Sequence, residues 1–128
     1  VLLRAARLSD LSLLASIQTI AHPPGRAITE DKFAKHLLVF PQGQFVAEDA
    51  EGVFGHCSTL RVSAYHPDES WEWATSYGTL LSHRVDGRWL LVADVCCFPQ
   101  SLGPSVFVLA VASLARELGL SRLLLTSG

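Results

Sequence analysis

The stretch DVCCFPQSLGPSVFVLAVASLARELGL, residues 94–120, runs from a hydrophobic strand through a Gly/Pro turn directly into an apolar helix. Trp89 to Phe98 is the most strand-like segment of the chain, and it ends against Pro99. The helix is predicted over Pro104 to Leu118. Gly103 stands at its cap, and Pro104 takes the first helical position, where a missing N–H is no loss. Gly119 supplies a C-terminal stop, and SRLLLTS supplies a following strand. A helix N-terminus presents unpaired amide hydrogens and the positive end of the helix dipole, and a glycine there admits close approach by an anion. The turn between strand and helix is therefore a candidate phosphate cradle.

The remaining chain arranges itself around that unit. VLLRAAR at 1–7 reads as a first strand, and Ser9 or Asp10 can cap a helix whose buried face carries Leu11, Leu14 and Ile17. HPPG at 22–25 interrupts it. A second helix is predicted after Thr29, with Ile28 and Phe33 at staple positions, ending near Phe40 before Pro41. QFVAED at 44–49 and VFGHCSTLRV at 53–62 form a hairpin about Gly52. WEWATSYG at 71–78 fits either a short helix or an extended edge that lays two tryptophans over a core or cleft. Asp86-Gly87 is a favoured hairpin turn ahead of the long strand. The first half of the 104–118 helix is apolar on nearly every side, which predicts burial.

Composition narrows the function. The 128 residues are 49% hydrophobic and 17% charged, which fits one globular core. A formal net charge of −2 offers no general attraction for nucleic acid or an anionic membrane surface. The run VFVLAVASLA is far shorter than the roughly 20 residues that cross a bilayer. Cys57, Cys96 and Cys97 are odd in number and contain no Cys-x-x-Cys pair, so neither a disulfide framework nor a closed metal site is expected. A reducing, cytoplasmic setting follows.

Four segments in order, FPQGQFVAED at 40–49, GHCSTLRV at 55–62, GTLLSH at 78–83 and ADVCCFP at 93–99, resemble successive parts of the GNAT acyltransferase family, the Gcn5-related N-acetyltransferases. The resemblance covers nearly the whole chain. It implies an α+β fold with a mixed central sheet flanked by helices, and it implies one domain over 1–128 whose later C-terminal strands are missing. It further implies that acetyl-CoA or another acyl-CoA binds in an opening between the central strand and its parallel neighbour, and that the acyl group passes to an amine. In the family's pyrophosphate pattern Gln100 matches the first position and Gly103 the fourth, while Ser105 replaces the final small apolar residue. Pro104 removes one amide donor, and no Arg or Lys lies between Arg88 and Arg116. The turn keeps the shape of an anion site with little of its charge, and a plain helix cap is the competing reading.

Acyl transfer to an amine needs a proton acceptor near the reacting nitrogen. Asp94 sits inside the strongest strand, where a charged carboxylate demands partners; it is a candidate catalytic group beside a structural, hydrogen-bonded reading. Glu72, between Trp71 and Trp73, is a candidate at the cleft rim, with an exposed loop acid as the alternative. His56 and His83 can accept protons but show no partner in sequence. Cys96 and Cys97 point to opposite faces of a regular strand. By resemblance, the backbone around Val95, Cys96 and Cys97 contacts pantetheine, and Gln100, Gly103, Ser105 and Val106 surround the pyrophosphate. Two other readings stay open: a GNAT-like malonyl-CoA decarboxylase of polyketide loading, with an acyl carrier protein as partner, and a degenerate binding module. Dimerisation is also left open, because a sheet edge needs cover.

Overall fold

A computed structural model of the chain describes residues 1–64, 66, 68–98 and 104–125. Gln100 and Gly103, and with them the centre of the turn read as a phosphate cradle, lie outside those residues. In chain order the elements are β1 (Leu2–Ala5), α1 (Leu11–Ala21), α2 (Glu30–Val39), β2 (Gln44–Asp49), β3 (Gly52–Val62), α3 (Trp71–Thr75), β4 (Trp89–Cys97), α4 (Val108–Glu117) and β5 (Arg122–Leu125). The strands form one sheet in the order β1-β2-β3-β4-β5. The first three pairings are antiparallel. The last is parallel, Trp89 opposite Arg122 through Val92 opposite Leu125, because α4 carries the chain back before β5 begins. This is the mixed sheet with flanking helices that the sequence leads one to expect.

A bulge decides which side chains meet. Ser58 pairs with Asp94 and Thr59 with Val92, so Ala93 is an extra residue on β4. Strict alternation from Leu91 would send Asp94 to the opposite side. The bulge instead keeps Ala93 and Asp94 on one face, and alternation resumes beyond it. Cys96 thus packs with Leu14, Ile17, Phe33 and Val46 beneath α1 and α2. Cys97 packs with Phe107, Val111 and Leu114 on the α4 side. The two neighbouring cysteines do face opposite layers.

Capping chemistry holds the helices where the sequence places them. Thr29 Oγ1 accepts from Lys32 N at 3.4 Å, starting α2. Before α1, a 3-10 turn over Leu8–Asp10 precedes the α-helix. The Asp10 carboxylate accepts from Arg7 N at 2.8 Å and from both Arg4 terminal nitrogens at 2.9 Å. This bidentate pair ties β1 to the start of α1, and the Arg4 guanidinium holds the Asp10 carboxyl below its usual range.

The choice left open at 71–78 falls to the helix: residues 71–75 are helical, capped by Ser70 Oγ accepting from Trp73 N at 3.2 Å, with Trp71 against Arg26 and Trp73 71% exposed. Two other expectations change. Asp86-Gly87 does lie in a turn, closed by Gly87 N donating to Arg84 O at 2.9 Å, but that turn joins a coil to β4. The coil is held on β3 instead: Arg84 N donates to Arg61 O, and Arg61 Nε donates to Gly87 O, each at 2.9 Å. Finally, α4 starts with a 3-10 turn over Pro104–Phe107, and Val108 and Leu109 are 59% and 79% exposed. The Phe107, Val111 and Leu114 stripe is buried against the sheet, with Val106, Ala115 and Leu118 packed partly buried beside it.

Candidate active site

The bulged face of β4 carries a buried polar cluster drawn from four parts of the chain. Asp94, with its side chain 3% exposed, projects from β4 toward α1 and the loop after it. The prolines of HPPG stop α1 at His22, and Arg26 N and Ala27 N both return to Pro23 O, at 2.9 and 3.0 Å. That tight turn brings Arg26 over the sheet. Arg26 Nη2 donates to Asp94 Oδ1 at 3.0 Å, and its guanidinium lies 3.6 Å from the centre of the Trp71 ring. Trp71 is itself anchored, its Nε1 donating to the carbonyl of the bulged Ala93 at 2.7 Å. The bulge therefore aims the carboxylate and holds the aromatic plate that covers its counter-ion.

Gln18, fully buried on α1, sets the protonation pattern. Its Oε1 accepts from Ile28 N at 3.0 Å, which fixes the orientation of the amide and leaves Nε2 to donate. That NH2 group bridges Asp94 Oδ2 and His56 Nε2, the latter at 2.8 Å. His56 Nε2 must then be the bare nitrogen. His56 Nδ1–H lies 3.5 Å from Ser58 Oγ, and Ser58 Oγ lies 3.4 Å from His36 Nδ1. His36 Nε2–H donates to Gly78 O at 2.7 Å, an acceptor with no proton to give. The bonds to Gln18 and Gly78 agree with two neutral imidazoles, with His56 Nε2 also 3.3 Å from Asp94 Oδ2. Burial accordingly pushes His56 and His36 down to about 4 each, and Arg26 and His22 add to the effect at His56 while Asp94 opposes it.

His22 occupies the outer side of the cluster. Its Nε2 is buried 3.5 Å from Asp94 Oδ1, while the side chain as a whole is 20% exposed. It lines an open cleft of about 370 Å³ between α1 and the start of α2, together with Thr19, Ala27, Ile28 and Glu30. Gln18, His22 and Arg26 carry no signal in sequence: one reads as part of an amphipathic helix and the others as loop.

The other candidates disperse. Glu72 lies exposed in the first turn of α3, outside the hydrogen-bonded cluster. His83 is a packing residue, stacked on Phe40 at 4.4 Å with Nδ1 accepting from Arg61 N. Burial pushes the Cys96 thiol up to about 12 and raises Cys97 as well, so both are protonated at neutral pH. Val95 is half-buried opposite Cys57, and Cys96 and Cys97 pair with His56 and Gly55. Ser105 is exposed and Val106 half-buried in the 3-10 turn before α4. Gln100 and Gly103 are outside the described residues. No helix among the described residues is long and apolar enough to cross a membrane.

No protein-family model matches the chain. It is 30% identical over 98 residues to the uncharacterized N-acetyltransferase YkwB of Bacillus subtilis (strain 168), covering 72% of this chain and 43% of that protein. A second relative from the same organism, the probable hydrolase YhcX, is 26% identical over 122 residues, covering 91% of this chain and 24% of YhcX. The chain thus spans less than half the length of either curated relative. Among solved structures, the GphF GNAT-like decarboxylase in complex with isobutyryl-CoA superposes with a TM-score of 0.71 at 18% identity, over 91% of this chain and 60% of GphF. The loading GNATL domain of CurA from Lyngbya majuscula gives 0.65 at 17% identity, over 91% and 55%. In fold and in its relatives, this chain is a GNAT-like protein.

Proposed function

We propose that the protein is an acyl-CoA-dependent N-acyltransferase of the cytoplasm, moving an acyl group, acetyl in the simplest case, from the coenzyme thioester to a primary amine. The observation that carries this reading is the buried carboxylate of Asp94 on β4, held by Arg26 and Gln18 beside two neutral imidazoles. A buried ionic group with polar neighbours is often no more stabilising than apolar residues of the same volume, so its presence in a GNAT-like fold favours chemistry over scaffolding.

In this reading the Asp94 cluster handles the proton released when the amine attacks the thioester carbonyl, and Glu72 attracts the incoming ammonium at the rim. The β4 backbone from Val95 to Cys97 lies along the pantetheine. Gln100, Gly103, Ser105 and Val106 surround the pyrophosphate, with amide hydrogens in place of a basic side chain. The acyl-CoA held by GphF supports the choice of cosubstrate.

Titration calorimetry with acetyl-CoA, followed by thiol release on adding a panel of amines, tests the proposal. Binding and amine-dependent thiol release are expected. No heat with any acyl-CoA would reduce the protein to a binding module of another kind. A second reading comes from the likeness to GphF and CurA: decarboxylation of malonyl-CoA beside an acyl carrier protein. Carbon dioxide release from malonyl-CoA without an amine would select it.

A further inference from the structure

Asp94 is poorly placed to touch an amine itself. Its side chain is almost wholly buried, one oxygen is bonded to Arg26, and the other is bonded to Gln18. The three groups with a basic or cationic nitrogen around it differ in access. His56 is 1% exposed and belongs to the neutral row leading to His36. Arg26 is held beneath its contact with Trp71, and its Nη2 is already bonded to Asp94. His22 alone both faces the carboxylate and lines a cleft wide enough for a small molecule.

We propose that His22 is the general base of the acyl transfer, that Asp94 is its positioning residue, and that the cleft between α1 and α2 receives the amine. The inference rests on the acyl-transfer reading and adds to it the identity of the base and the acceptor's site. Nε2 of His22 is buried without a hydrogen bond and lies 3.5 Å from Asp94 Oδ1, so the carboxylate favours the tautomer with its proton on Nε2. Nδ1 is then the basic nitrogen. Catalytic hydrogen bonds are often long or poorly aligned before substrate binds and tighten in the complex.

The step balances simply. A neutral amine nitrogen attacks the thioester carbonyl carbon and forms the C–N bond. One nitrogen proton passes to His22 Nδ1, leaving an imidazolium whose Nε2–H faces the negative Asp94. The C–S bond breaks, sulfur leaves as thiolate, and the imidazolium returns its proton to it, giving amide and free thiol. The cleft suits a compact amine: Ala27, Ile28 and Pro24 supply apolar wall, and Glu30 at its edge attracts the ammonium form from solution.

Two independent measurements decide the matter. Nitrogen NMR of the unliganded protein is expected to show His22 protonated at Nε2, with the other tautomer gaining population in Asp94→Asn. His22→Ala is expected to bind acetyl-CoA within twofold of the parent while its kcat falls about a hundredfold, the scale of lost general base catalysis, with partial recovery on adding free imidazole. A His22 protonated at Nδ1 instead, or a His22→Ala variant with parental kcat, would overturn the assignment. Lack of acetyl-CoA binding by the parent protein would instead fell the acyl-transfer reading, and the base with it, whatever the tautomer; the calorimetry thus tells the two failures apart.

Discussion

His36 and His56 are imidazoles for which a proton brings only loss in the folded state. Their ring nitrogens are committed to one another's row and to Gly78, and burial pushes both down to about 4. An unfolded chain would protonate them near 6.5. Below 6.5 the unfolded state therefore binds more protons than the native state, so stability falls as the pH is lowered, through to about 4, where the native rings also titrate. Each ring accounts for roughly 3 kcal/mol across that window and for nothing above it. Urea unfolding between pH 7 and pH 4 should show this decline, and His36→Leu should remove about half of it. A stability flat across the window would mean that the imidazoles are not buried neutral. Asp94 is visible in the sequence as a carboxylate inside an apolar strand, which demands partners, and His56 only as a possible proton acceptor. Their partners are not. Gln18 lies 76 residues from Asp94 and Arg26 lies 68 away, and only the folded chain brings those separations together.

Elements with strong local chemistry are the ones that sequence places well. The Thr29 cap, the proline stop after α1, the β2–β3 hairpin and the long β4 strand all depend on residues within one turn of one another. The segment from 71 to 88 defeats such reasoning, because three non-glycine residues there, Ser76, Tyr77 and Leu80, adopt left-handed φ angles of 55°, 57° and 62°. Local preference opposes that path, and tertiary packing imposes it. The bulge at Ala93 is equally silent: nothing in WLLVADVCC marks where alternation slips, so the face that receives Asp94 cannot be read from period alone. The Arg84–Gly87 turn gives a direct test of how tightly this segment is seated. A Cβ on Gly87 would lie 2.7 Å from both the N and O atoms of Val62, which are backbone and cannot rotate aside. Gly87→Ala should cost about 2 kcal/mol in urea unfolding. Gly25→Ala, where a Cβ meets nothing within 4 Å, should change stability little, and equal effects at the two sites would contradict the seating described.

At the scale of the whole molecule, the sheet divides two tasks between its faces. One face, with Phe107 of the 3-10 turn and Val111 and Leu114 of α4 on it, is an apolar core; the other is apolar beneath α1 and α2 but opens at the β4 bulge into the ionic cluster. β4 belongs to both layers and also leads into the turn read as the pyrophosphate site. Acyl-CoA should therefore stabilise the fold as a unit, because a ligand spanning β4 and the start of α4 binds only when both are in place. At about one hundred times its Kd, a ligand specific for the native state adds about 2.7 kcal/mol, which for a chain of this size raises Tm by roughly 10 °C. Gly103→Asp puts a side chain and a negative charge where the diphosphate would sit. The variant should keep the parental Tm without ligand and lose most of the rise with acetyl-CoA in a thermal scan. If Gly103→Asp gains as much from acetyl-CoA as the parent does, the diphosphate binds elsewhere, and the turn between β4 and α4 is a helix cap alone.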